Sequence, residues 1–238
     1  MNPTGLRLLD IRPGAASADP GQLTRVGDRL YFTANDGIHG TELWWTVADS
    51  LLGLTAYRNN IKVYNGIVFP SPAITLASSL DGVVGNSLYF SGYSPGSGFE
   101  LWRTNSSGAA LFKDLLPARF DSSDPVLGGP WNFIGAGDSL FFQSGVIRSF
   151  IDSNGNLQEF IENQLWHSDG TPEGTQPLGL ALSRFGVAQL RDQFAVGNTL
   201  FFSALNDNFT QLNLWKSDGT PQGTQDRKST RLNSSHRT

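Results

Sequence analysis

The sequence predicts an all-β chain, a β-propeller-like array of about four four-stranded antiparallel blades forming an incomplete propeller, and three observations predict it. The twelve residues LWHSDGTPEGTQ at Leu165 return forty-nine residues later, at Leu214, as LWKSDGTPQGTQ. A Gly-Asp or Gly-Asn pair followed by an apolar triplet occurs four times, as VGDRLYF, VGNSLYF, AGDSLFF and VGNTLFF. The composition is rich in turn formers and aromatics and poor in charge (27 Gly, 11% aromatic, 16% charged), which favours short strands and tight turns.

The turn glycines of the four copies are Gly27, Gly85, Gly137 and Gly197, spaced 58, 52 and 60 residues apart. Each is followed by a second landmark: ELW at Glu42, ELW at Glu100, QLW at Gln164 and NLW at Asn213. Trp44, Trp102, Trp166 and Trp215 therefore come 17, 17, 29 and 18 residues after their glycines. A third landmark links LLDIRPGAASADP at Leu8 with LFKDLLPARFDSSDP at Leu111. A period of this length marks a supersecondary unit repeated along the chain.

Within one unit, the residues before the glycine form the first strand. The Gly-Asp or Gly-Asn pair is a tight turn, because Gly and Asn tolerate φ > 0. LYF or LFF is the second strand. Glycine-rich connections follow, such as NDGIHG from Asn35 and SPGSG from Ser94, and ELW is the third strand. SDGTPEGT is a turn-forming loop in which Asp169-Gly170 and Asp218-Gly219 bend the chain while Ser, Asp and Thr oxygens bond nearby backbone N–H groups. The L..DI segment is the fourth strand. Leu-Tyr-Phe and Leu-Phe-Phe are apolar on both faces, as in a sheet covered on both sides. A four-stranded unit of about 50 residues sandwiched between its own copies is a propeller blade. A linear β solenoid fits less well, since its coils are shorter and lack this hairpin punctuation.

These motifs together resemble the ELWxxDGT repeat proteins, also labelled hyalin-like, which are large secreted or surface-associated bacterial proteins with a propeller-like fold. The resemblance covers about residues 4 to 225, and LWHSDGTPEGT and LWKSDGTPQGT are its specific matches. After Trp44 and Trp102 the chain runs on as WTVADSLLGL and RTNSSGAA; both depart from the pattern, so the first blade is expected to be irregular. The resemblance implies an extracellular or cell-surface location and implies no chemistry.

Residues 1–225 are thus expected to form one repeat domain, a fragment of a longer array. Asp226 to His236 read DRKSTRLNSSH, which resembles the translation of a short-read sequencing adapter over eleven codons. The segment 226–238 is accordingly expected to be a disordered tail of artefactual origin. With it the net charge is −4; without it the remaining 13 basic and 20 acidic residues give −7. An acidic body disfavours nucleic acid, because phosphate contacts need a basic patch. There is no Cys, which excludes disulfides, thiol catalysis and Cys-ligated zinc. The start MNPTGLRLLDIRPG has neither the basic nor the apolar region of a signal peptide, and no apolar run reaches the roughly 18 residues of a membrane span.

The candidate functional residues divide into repeated and unique. Trp44, Trp102, Trp166 and Trp215 read as inter-blade packing residues rather than sugar platforms, since each recurs in step with the fold. Glu42 and Glu100 suggest a carboxylate pair for glycoside hydrolysis, but Gln164 and Asn213 at the equivalent positions keep polarity and lose charge, which suits hydrogen bonding. Asp169 and Asp218 resemble part of a calcium loop, yet SDGT supplies too few of the six to eight oxygens that calcium takes, so turn formation is the reading. The three His (His39, His167, His236) show no paired metal spacing, and no cofactor is expected. Two insertions are unique to single blades: Ser144 to Gln164 in the third, carrying Asp152, Glu159 and Glu162, and Ala48 to Gly66 in the first. Function on a rigid scaffold concentrates in such loops.

Two functions follow as expectations. The first is a non-catalytic module that binds an extracellular polymer or protein through propeller faces. The second is a glycan-active hydrolase or lyase on a propeller, for which Asp152, Glu159 and Glu162 are the candidate carboxylates.

Overall fold

The computed structural model of the chain describes residues 10–38, 41–49, 53–62, 67–68, 75–76, 80, 82–94, 97–105, 108–116, 129–183, 190–205 and 210–226. These residues contain strands and turns and no helix. They build four antiparallel four-stranded sheets of the blade type. The first blade is β1 (Gly21–Val26), β2 (Arg29–Asn35), β3 (Thr41–Asp49) and β4 (Gly53–Lys62). A two-stranded ribbon, β5 (Ile67–Val68) and β6 (Thr75–Leu76), follows. The second blade is β7 (Gly82–Val84), β8 (Ser87–Ser94), β9 (Gly98–Asn105) and β10 (Gly108–Lys113), joined to the first by the single pairing of Lys62 with Tyr93. The third is β11 (Trp131–Ala136), β12 (Ser139–Ile151), β13 (Leu157–Ser168) and β14 (Gln176–Ser183). The fourth is β15 (Arg191–Val196), β16 (Thr199–Leu205), β17 (Leu212–Ser217) and β18 (Gln225–Asp226).

The expected strand order is the observed one, with two refinements. In the first blade, the insertion after Trp44 supplies the fourth strand: β4 pairs with β3 from Asp49↔Gly53 to Glu42↔Lys62. At the C-terminal end β18 takes in Asp226, one residue past the expected domain boundary; residues 227–238 lie outside the described residues, as do His39, His236, Leu8 and Leu9.

The chain divides into two compact units, Met1–Phe133 and Ile134–Thr238. In the first, Val26, Tyr31 and Leu43 of blade one pack against Leu80, Leu88 and Phe90 on or beside blade two. In the second, Ala136, Phe141 and Leu165 of blade three pack against Leu190, Leu200, Phe202 and Trp215 on or beside blade four. Sequence positions match between the two interfaces: Val26 with Ala136, Tyr31 with Phe141, Leu43 with Leu165, Leu88 with Leu200, Phe90 with Phe202. In each unit one blade therefore has an apolar face that packs on an apolar face of the other. LYF and LFF are apolar on both sides, and each such side chain removed from water contributes about 1.5–3 kcal/mol.

Two of the four turn glycines belong to these interfaces. Gly27, Gly85, Gly137 and Gly197 have φ of 61°, 56°, 60° and 58°, left-handed values that glycine adopts without strain. At two of them the next blade also forbids a side chain. A Cβ on Gly27 would lie 2.1 Å from Asn86 Oδ1, and one on Gly137 would lie 1.9 Å from Asn198 Oδ1.

Candidate functional site

The repeated segment is a hydrogen-bonded corner between the third and fourth strands, and its wiring accounts for the letters SDGTPxGTQ. In blade three the Ser168 and Thr175 hydroxyls lie 2.6 Å apart, and Ser168 Oγ also accepts from the Gly170 N–H (3.2 Å). Asp169 Oδ1 accepts from both the N–H (2.9 Å) and the hydroxyl (2.7 Å) of Thr171. The Thr171 hydroxyl in turn accepts from Gly174 N–H at 2.9 Å, and the Thr175 hydroxyl donates to Thr171 O at 2.6 Å. Gln176 closes the corner on Glu173 O at 2.9 Å. Blade four repeats every one of these bonds through Ser217, Asp218, Thr220, Gly223, Thr224 and Gln225.

Both glycines of the motif are obligatory here. Gly170 and Gly219 have φ of 88° and 90°, and a Cβ on Gly174 or Gly223 would fall about 2 Å from the Asp169 or Asp218 carboxylate. The Thr171 hydroxyl and then its backbone N–H hold the Asp169 carboxyl below its ordinary range, and Thr220 does the same to Asp218. Oδ1 of each aspartate is engaged in the corner itself. Among the described residues no group of three or more His, Asp or Glu is placed to hold a metal ion.

The repeated tryptophans are built into the sheets. Trp166 lies nearly parallel to Phe142 on the neighbouring strand (centroids 5.9 Å, planes 23° apart), and Trp215 to Phe202 (6.3 Å, 14°). Trp44, Trp166 and Trp215 each donate their indole N–H to a carbonyl on the adjacent strand, Ala34, Ser144 and Ala204, at 3.1–3.2 Å. Trp102 has Gly92 at the equivalent place. Its ring lies where a Cβ of Gly92 would be, 2.6 Å away, and its Nε1 has no hydrogen-bond partner among the described residues.

The residue before Leu-Trp is buried in all four blades: Glu42, Glu100, Gln164 and Asn213. Glu100 Oε2 accepts from the Leu115 N–H at 2.5 Å, Gln164 donates to Glu162 Oε2 at 2.5 Å, and Asn213 donates to Asp226 Oδ2 at 2.5 Å. The Glu100 and Asn213 bonds tie the third strand to the segment that follows it, while the Gln164 bond stays within β13.

The insertion in blade three is an extension of the β12–β13 hairpin, paired without a break from Leu140↔Ser168 to Ile151↔Leu157. Asp152 forms its tip. Its Oδ1 accepts from the N–H groups of Asn154 and Asn156 at 2.9 Å, and its Oδ2 accepts from Gln158 Nε2 at 3.0 Å. The Asn156 N–H leads the bonds that hold its carboxyl below the usual range. Glu162 is buried and forms an ion pair with Arg148 at 2.9 Å. Glu159 stands three residues from Glu162 on the same strand and so points to the opposite face of the ribbon. Asp152 and Glu162 share a face but lie six residue steps apart, about 20 Å along the strands. Paired carboxylates of glycoside hydrolysis sit roughly 5–10 Å apart. The three candidate carboxylates therefore form no acid–base pair with one another.

Two features escaped the sequence. The hairpin exposes Phe150, Ile151 and Leu157; only the register, invisible in composition, pairs Ile151 with Leu157 on one face and sets Phe150 edge-on to Phe160 at 6.0 Å on the other. His167 packs against Phe141 at 5.1 Å, and its ring occupies the space a Cβ of Gly219 would need, 2.5 Å from Nε2. Burial pulls its pKa down, while Asp169 and Asp218 pull it up less strongly.

No family profile matches the chain, and no curated protein does. Among solved structures it is similar to a puromycin-hydrolyzing peptidase of Mycobacterium tuberculosis, at 14% identity and a TM-score of 0.46. That match covers 89% of this chain and 28% of the peptidase. It is also similar to a family 117 glycoside hydrolase from the marine bacterium Zobellia galactanivorans, at 13% identity and a TM-score of 0.35. That match covers 85% of this chain and 66% of the hydrolase. The chain thus spans under two thirds of either protein, and likeness at these scores carries no argument about its chemistry.

Proposed function

We propose that the chain is a non-catalytic binding module of a secreted or cell-surface bacterial protein of the ELWxxDGT type, with the β12–β13 hairpin as its contact element for a polymer or protein partner. The observation that carries this reading is how the polar residues are used. The motif's Asp, Ser and Thr bond one another, the residues before Leu-Trp are buried in the sheets, and Asp152 and Glu162 are engaged within the hairpin. The hairpin, in contrast, raises Phe150, Ile151 and Leu157 into solvent on a rigid ribbon, the arrangement of a contact surface rather than of an acid–base site.

The test is to run the full chain through gels cast with a panel of bacterial and algal polysaccharides, and to assay the same polysaccharides for new reducing or unsaturated ends. Retardation by at least one polysaccharide without chain cleavage is expected, with F150S/I151S/L157S losing the retardation. New ends that disappear in D152N or E159Q would overturn the reading in favour of a glycan-active enzyme.

A further inference from the structure

The β12–β13 ribbon carries different chemistry on its two faces. Residues paired directly across two antiparallel strands share a face, so the register sorts the extended part of the ribbon into two sets of rows. One face carries Ile147 with Ile161, Ser149 with Glu159 and Ile151 with Leu157; it is aliphatic and holds no ring. The other carries Val146 with Glu162, Arg148 with Phe160 and Phe150 with Gln158. Blades two and four flank blade three in the sequence, and their Gly-to-Trp spacings are 17 and 18 residues against 29 in blade three. Neither neighbour therefore carries a ribbon of this length.

The second face sets one ring between fixed hydrogen-bonding groups. Phe150 is 52% exposed, and Phe160 braces it edge-on at 6.0 Å. Arg148, one row further from the tip, is anchored through Nε on Glu162 at 2.9 Å, which leaves its two Nη groups as donors. Gln158, directly opposite Phe150, is anchored through Nε2 on Asp152 at 3.0 Å, which leaves its amide oxygen as an acceptor. A ring of this kind covers the C–H face of a sugar while the donor and the acceptor beside it bond the hydroxyls. Because the polar side chains are already held, little of their freedom is lost on binding.

Size and charge select the ligand class. Three residue pairs of a two-stranded ribbon cover about 15–20 Å by 10 Å, or roughly 200 Å². A stable protein interface takes about 800 Å² from each partner, so this face suits a few sugar units better than a folded protein. The Arg148 cation is balanced by Glu162, and Asp152 adds a negative charge at the tip. With a net charge of −4 on the chain, the face has no positive excess to attract an acidic polymer. We propose that this face, centred on Phe150, binds a neutral polysaccharide. The inference rests on the reading of the hairpin as the contact element and assigns that role to one of its two faces.

The experiment is native electrophoresis of the full chain through gels cast with a β-1,3-glucan, an arabinoxylan, a galactomannan or, as an acidic polymer, alginate. The wild type is compared with F150L, F150W and I151S/L157S. At least one neutral polysaccharide is expected to retard the wild type. F150L keeps apolar bulk and loses the ring, so its dissociation constant should rise roughly tenfold or more, with an unchanged circular dichroism spectrum. F150W should restore binding, and I151S/L157S, on the opposite face, should bind as the wild type does. An F150L that binds as the wild type does, or an I151S/L157S that loses as much as F150L, would overturn this inference and leave the hairpin as the contact element. A wild type retarded by no neutral polysaccharide, or by alginate alone, would also overturn it, and would leave the hairpin to a different partner. Retardation that survives unchanged in every variant would overturn both readings at once.

Discussion

The four turn glycines share one backbone conformation and differ in what the next blade puts against them, so a Gly→Ala series isolates the blade-to-blade contact. Alanine at φ near 60° costs about 1–2 kcal/mol wherever it is placed. At Gly197 and Gly85 that is the whole cost, because among the described residues nothing stands within 4 Å of the new methyl group. At Gly137 and Gly27 the methyl would fall on the carboxamide oxygen of Asn198 or Asn86, at 1.9 and 2.1 Å. The Asn side chain must turn out of its place, an overpacking cost of about 1–3 kcal/mol. The assay is a thermal melt of each variant. One kcal/mol shifts the midpoint of a domain this size by about 2–4 °C, so G197A and G85A should fall by roughly 2–8 °C and G137A and G27A by several degrees more. G137A/N198G should recover most of the excess. Equal losses at all four positions would refute the reasoning, since the Asn contacts would then carry no energy.

Three further outcomes follow from the same geometry. L165A should cost about 2–5 kcal/mol in denaturant unfolding as a buried cavity, while L214A, its exposed equivalent, should stay within about 0.5 kcal/mol. T220V removes both the hydroxyl bond to Asp218 and the acceptor for Gly223 and should cost about 0.5–1.5 kcal/mol, with faster amide exchange at Gly223 and recovery in T220S. His167 titrates lower folded than unfolded because burial disfavours its cation. The unfolded chain then binds more protons near pH 6.5, so this stabilisation is present above that value and lost as pH falls below it. H167Q should flatten the melting-temperature profile between about pH 5 and 7 and leave untouched the loss at lower pH that follows protonation of Asp169 and Asp218.

Much of this was legible in the sequence because the repeat is written in residues whose roles are local. Gly-Asp and Gly-Asn declare a left-handed turn wherever they occur, and Asp-Gly-Thr declares a corner whose hydrogen bonds stay within about seven residues. The two-sided apolar triplets declared covered sheets, and the equivalence of Glu42, Glu100, Gln164 and Asn213 declared a hydrogen-bonding role. What stayed hidden depends on register and on the neighbouring blade. The insertion of blade three reads as a loop bearing three acids, yet pairing of Val146 with Glu162 makes it a continued ribbon, and the odd separation of Glu159 and Glu162 sends them apart. The insertion of blade one reads as an interruption, yet it is the fourth strand. His167 looked idle because the corner its ring closes on, at Asp218 and Gly219, belongs to the next repeat.

The near-identity of the corners at Leu165 and Leu214 has a consequence for how the chain reaches its native state. Two interchangeable strand–corner segments in one polypeptide invite exchange, with β17 claiming the place of β13 beside β12, a characteristic misassembly of repeat proteins. The long β12–β13 ribbon removes that ambiguity. Its twelve consecutive residue pairs can be made with β13 alone, since β17 begins only at Leu212 and has no matching extension. The hairpin that sets blade three apart therefore acts as an address label, which fixes which of two equal segments belongs where before the corners lock.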